Sequence, residues 1–233
     1  MIRFSKISLF AIGFGILISS ISVTEAKAQG PLTEILRRMD LNNKSLQSLQ
    51  ANVTMVKVNT QLGEKDTSIG TTSYLPKTAK HDKYVRIDWT KPVVEKVAVV
   101  GDSYELWRVR LNQVIVGKAS QASNGAAAGG ALGFMSMSRD QLKENYEVIH
   151  LGNETLSSGT VTFHLQLTPK GKTSYKSAEL WVDSDGMPQQ AKIIEANNDT
   201  TTVLLSNIKK NVTLQASLFK LEYDPKTVKK IKA

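Results

Sequence analysis

Short runs in which apolar and polar residues alternate, each closed by a turn signal, recur from Val53 onward and constrain this fold more than any other feature. The clearest run sets Val161, Phe163, Leu165 and Leu167 on one side of the backbone and Thr162, His164, Gln166 and Thr168 on the other. That period belongs to a strand, not a helix. Val85, Ile87 and Trp89 alternate in the same way, as do Ala178, Leu180 and Val182. Val97 and Val99, a turn at Gly101-Asp102, Leu106-Trp107-Arg108-Val109 and Val114-Ile115-Val116 extend the series. Val53, Met55, Val56 and Val58 put apolar residues on both faces of one stretch, and a β-branched run from Thr67 to Leu75 follows. Tyr146, Val148 and His150, and later Ile193, Val203, Leu205, Phe219 and Leu221, mark further strands. Most links are a few residues long, too short for crossover helices, so successive strands must pair antiparallel. Asp185-Gly186 is a hairpin turn, and Gly171-Lys172-Thr173 is another hairpin loop rather than a phosphate cradle, because it lies between two strands.

Two helices accompany the strands. Leu32, Ile35, Leu36 and Met39 recur at helical spacing behind Pro31, which suits a first turn. The stripe is one-sided, so this helix must pack on something larger. Ser138-Arg139-Asp140-Gln141 resembles a capping box opening a short helix through Asn145. Between the meander and that box, Gln121 to Met137 is rich in Ala, Gly and Ser but carries Leu132, Phe134 and Met135. Apolar side chains in such a segment need a surface to cover, and a lid over a groove provides one; a linker is the plainer reading. Some ten or eleven strands, an N-terminal helix and this segment are satisfied by a large curved antiparallel sheet wrapped around helical material.

The amino end reads as an export signal. Arg3 and Lys6 precede an apolar run from Ile7 to Val23, and Ala26-Lys27-Ala28 is a small-x-small cleavage site. The densely apolar part, Leu9 to Ile18, is too short to span a bilayer comfortably. Residues 1–28 are therefore expected to leave, and residues 29–233 to form one domain. The chain has no cysteine, which excludes disulfides and a lipid-modified cysteine at the mature amino terminus. Its formal charge of +9 falls to +7 for residues 29–233. The basic residues are scattered apart from the tail Lys226 to Lys232, which favours solubility or membrane proximity over nucleic-acid reading.

Catalytic constellations are wanting. His150 and His164 sit on strand faces and His81 in a lysine-rich loop, none with a second ligand at metal spacing. There is no G-x-S-x-G elbow, and a cysteine nucleophile is impossible. Asn52, Asn153, Asn198 and Asn211 each open an Asn-x-Thr triplet, which matters only in a eukaryotic secretory pathway. No enzyme, metal or cofactor is expected.

One stretch carries a resemblance. Ile87-Asp88-Trp89, Lys91-Pro92, Glu95, Val99-Val100-Gly101-Asp102, Leu106-Trp107 and Gln113-Val114 follow the order found in the outer-membrane lipoprotein carrier family, the LolA-like proteins. The order of elements resembles that family over nearly the whole mature chain. Three departures stand out: Gly101-Asp102 reverses the usual Asp-Gly, and Arg108-Val109-Arg110 replaces an aromatic and a proline. Leu75 precedes Pro76 where the better-known carriers place an arginine that holds the lid.

The resemblance implies an α+β, mostly β, fold: an unclosed antiparallel half-barrel of about eleven strands with helices covering a concave hydrophobic cavity. Its lining is expected from Val53, Met55, Ile87, Trp89, Val99, Leu106 and Trp107, then Phe163, Leu165 and Leu180, with Leu132, Phe134 and Met135 in the lid. Flexible methionine suits weak, adaptable contacts. In a half-barrel the concave apolar face is both core and cavity, so sequence does not separate the two. The implied function is a monomeric periplasmic carrier of lipoprotein or lipid acyl chains between an inner-membrane lipoprotein-releasing transporter and an outer-membrane acceptor. The competing expectation is an exported envelope-stress sensor or interaction module of the same fold that binds lipidated or misfolded proteins. An exported hydrolase is the third, and no cluster supports it.

Overall fold

A computed structural model of the protein describes residues 29–118, 133, 137–226 and 228–232. The expected export signal and Leu132, Phe134 and Met135 lie outside the described residues.

The chain begins with helix α1 (Gln29–Ser45) and a meander of six strands: β1 (Leu49–Asn59), β2 (Glu64–Leu75), β3 (Tyr84–Lys91), β4 (Glu95–Val100), β5 (Ser103–Arg108) and β6 (Gln113–Lys118). Helix α2 (Arg139–Asn145) leads into a second meander. Its strands are β7 (Tyr146–Thr155), β8 (Val161–Pro169), β9 (Tyr175–Val182), β10 (Pro188–Glu195) and β11 (Thr200–Lys210). A 3₁₀ turn (Ala216–Phe219) and a last strand, β12 (Lys229–Lys232), follow. All twelve strands form one sheet in the order β12-β6-β5-β4-β3-β2-β1-β11-β10-β9-β8-β7, and its two end strands do not pair with each other. The half-barrel is therefore open, as the resemblance implies. It has one strand more than expected, and β12 joins β6 in parallel, the exception in an otherwise antiparallel sheet.

Local chemistry explains the element boundaries. The capping box is present: Ser138 Oγ accepts from the Gln141 N–H, and the Ser138 N–H donates back to Gln141 Oε1 at 2.9 Å. The β9–β10 turn needs Gly186, whose φ is +87° and whose missing Cβ would meet the Arg38 carbonyl carbon of α1 at 2.2 Å. That turn is seated on α1. Arg38 donates to the Ser184 carbonyl at 2.9 Å, and the amide of Asn42 points at the Met187 sulfur at 3.4 Å. Glu34, held by Arg37 and Arg38, has its carboxyl pulled down to about 2.

The core lies between α1 and the sheet face turned toward it. Ile35, Leu36 and Met39 of α1 are buried with Leu49, Ala51 and Val53 of β1, Leu165 and Leu167 of β8, and Val203 and Leu205 of β11. The opposite, convex face is partly covered by the segment after β11. Phe219 is buried there, its ring 5.4 Å from that of Tyr84, and the Lys220 carbonyl accepts from Arg86. Phe219 and Leu221, expected in strands, lie instead in the 3₁₀ turn and the irregular segment after it. Both are buried, so their apolar character serves a strap across the sheet and not a ladder within it.

Candidate functional site: the concave face

Cross-strand register decides which side chains share a face, because residues directly opposite each other project the same way. Val53 of β1 faces Leu205 of β11 and Gly70 of β2, and Gly70 faces Trp89 of β3. A Cβ at Gly70 would come within 2.3 Å of the Asp88 carbonyl oxygen, so β2 approaches β3 there as only glycine allows. Ile87 then faces Val97, and Val97 faces Leu106; Val85 faces Val99. On the other side of β1, Met55 faces Val203, which faces Ala191, and Ala191 faces Leu180. Leu180 faces Leu165, and Leu165 faces His150 on the outermost strand, β7. Phe163, two residues before Leu165, projects with it.

The structure thus brings nine of the ten predicted strand residues onto one face, the side α1 covers. Val53, Leu165 and Leu180 are fully buried, while Met55, Val99 and Phe163 are half-buried against the same cluster. Trp107 is the one it does not bring there. As neighbour to Leu106 it projects to the convex face, its ring 6.0 Å from that of Tyr223 and under the Lys96 ammonium. Sequence reasoning missed Val97, Tyr104, Ile115, Val148, Ala191, Val203 and Leu205, which share the concave face or its core. The alternation on strands already recognised was the signal that could have found most of them.

Polar groups on this face are few and mostly satisfied. The Tyr146 and Tyr175 hydroxyls lie 2.7 Å apart. Burial and that bond push the Tyr175 phenol upward. Tyr104 is also raised, by burial and then by Glu95. Thr72 donates to the Arg86 carbonyl at 3.0 Å. On the convex side His164 stacks on Trp181 at 4.2 Å and lies between Glu154 (3.1 Å) and Glu179 (3.2 Å). This tie links β7, β8 and β9. Among the described residues no group of three or more His, Asp or Glu side chains is placed to hold a metal.

The fold and face define a class: an open antiparallel half-barrel whose concave side is apolar and crossed by a helix. The chain belongs to the family of the outer membrane lipoprotein carrier protein LolA, whose model matches residues 78–222. No curated protein matches it by sequence. Among solved structures it is similar to a conserved protein of Thermus thermophilus, with a TM-score of 0.54, 14% identity, and coverage of 87% of this chain and 99% of that one. It is also similar to the MucA/MucB complex structure of Pseudomonas aeruginosa, with a TM-score of 0.50, 13% identity, and coverage of 82% of this chain and 61% of that one. A LolA superfamily protein of Nitrosomonas europaea overlays with a TM-score of 0.43 at 17% identity, covering 81% of this chain and 97% of that one. At these identities the structural likeness is one of fold.

Proposed function

We propose that this protein is a periplasmic carrier that takes the acyl chains of a lipoprotein, or of a related lipid, against its concave face and moves them from the inner to the outer membrane. One observation carries the reading. Apolar side chains from strands across the sheet converge on a single face of a half-barrel that stays open, in a chain of the lipoprotein carrier family. The physical demand fits that surface. Each methylene withdrawn from water gains ~0.8 kcal/mol, so a chain of about fifteen methylenes gains on the order of 12 kcal/mol. A lipid held so firmly by its own insolubility does not cross an aqueous gap unescorted. Its escort needs a broad apolar surface rather than a reactive group, and this face offers one.

Residues 1–28 supply the export signal on this reading, and the mature domain works as a monomer without a cofactor and without catalysis. Its partners are an inner-membrane lipoprotein-releasing transporter and an outer-membrane acceptor. Hand-over without loss to water requires each partner to present its own apolar surface.

The test is the native mass of the mature protein taken from its host's periplasm under mild conditions. Extra mass matching diacyl or triacyl species, removed by organic solvent, is expected. A bare protein mass, with no uptake of added lipopeptide or fatty-acid probes, would refute the carrier. A stoichiometric protein partner in its place would point to the sensor of the same fold.

A further inference from the structure

Among the described residues, the concave face holds one buried side-chain polar atom that the fold leaves unsatisfied. His150 on β7 lies opposite Leu165, and its ring meets the Phe163 ring edge-on at 5.9 Å. Its Nε2 is buried and has no hydrogen-bond partner. An imidazole nitrogen in that state costs free energy, and such groups are rare unless something else satisfies them. The indole Nε1 of Trp107, on the convex face of β5, is likewise buried without a partner, but the polar side chains nearest His150 in the sheet show the contrast. The Tyr146 and Tyr175 hydroxyls satisfy each other, and His164, on the opposite face of the neighbouring strand, has both ring nitrogens beside carboxylates. The backbone is specialised at the same place. The ladder between β7 and β8 slips between His150 and Gly152, and Gly152 has a φ of +124°. A bulge re-aims the side chains beside it.

We propose that His150 is the polar anchor of the concave face, its Nε2–H donating a hydrogen bond to the carbonyl oxygen that joins a bound acyl chain to its headgroup. The inference rests on the carrier reading and specifies how cargo is registered. An acyl chain has one polar point at its head, a neutral acceptor, and an imidazole N–H offers the matching donor. The side chains that ring contact and register set beside it, Phe163 and Leu165, are apolar, as is Val148 two residues earlier on the same face. A lipoprotein's glyceryl ester and a free glycerolipid share this carbonyl.

The experiment compares ester-linked and ether-linked dipalmitoyl lipopeptides, which differ at that carbonyl, by displacement of a fluorescent fatty acid from the mature protein. Wild type is expected to hold the ester roughly three- to tenfold more tightly, the range of one hydrogen bond. His150→Leu should erase the preference while keeping the ether affinity, and its ligand-free melting temperature should not fall. His150→Gln, which keeps an N–H donor, should restore part of the preference. The same pair made as phosphatidylglycerol separates the sources: a preference there too assigns the contact to any glyceryl ester, and its restriction to the lipopeptide assigns it to lipoprotein. An ester preference that survives His150→Leu, or none in wild type, overturns the anchor alone. Failure of every probe to bind overturns the carrier reading and the anchor with it.

Discussion

Leu106 and Trp107 are neighbours in sequence and face opposite sides of the sheet. Alternation dictates that separation, but it does not say which of the two is concave. Trp107 is apolar because a segment more than a hundred residues later, with Tyr223, lies over it. Nothing near position 107 announces that cover. Phe163 and Leu165, two apart on one strand, could not be split in this way. Uptake should reflect the difference. Phe163→Asp puts a carboxylate among apolar side chains and should weaken binding of a fluorescent fatty acid at least tenfold, since an unpaired buried charge costs several kcal/mol and each ~1.4 kcal/mol is a decade of affinity. Trp107→Phe keeps an aromatic ring on the convex face and should leave the affinity within about twofold. Titration of both folded variants checks this, and equal losses would mean that Trp107 reaches the ligand.

Elements were legible where their signals are local. The capping box at Ser138 and the one-sided stripe of α1 gave two helices with the correct neighbours, because caps and periodicity are written within a few residues. The strap around Phe219 was not legible as a strap. Buried apolar residues in an irregular segment look like strand residues until the surface they cover is known. Gly186 belongs to this scale too, since it lets the β9–β10 turn rest on α1. Gly186→Ala combines a positive φ with a backbone collision, and should cost at least about 2 kcal/mol, read as a fall of several degrees in melting temperature. An unchanged melting temperature would mean that the turn does not bear on the helix. At the far end of the sheet β12 covers the edge of β6 with exposed Lys229, Lys230 and Lys232, the charged edge that discourages further pairing. Removing residues 229–233 should bare β6 and raise concentration-dependent self-association. Light scattering across a dilution series measures it, and a truncated protein as monomeric as the full chain would deny β12 this guarding role.

At the scale of the whole molecule, the sheet and its open curvature were readable from period-two runs joined by short links, with the family resemblance supplying the half-barrel. The order of strands was not. Hairpins specify only successive partners, whereas β1 pairs with β11 and β12 returns to β6. Those pairings are set by the shape of the whole sheet, which no local run contains. The β1–β11 ladder also carries a kinetic consequence. Leu49 pairs with Lys210, and Val53 with Leu205, so the seam joining the two meanders closes only when the last fifth of the chain is at hand. Loop closure over such a span comes late and slowly. A polypeptide delivered amino end first can fold its early hairpins but has no mate for the free side of β1 until residue 200 arrives. On the proposed export route, such a chain would stay threadable until its last strands emerge, and the seam would lock it afterwards.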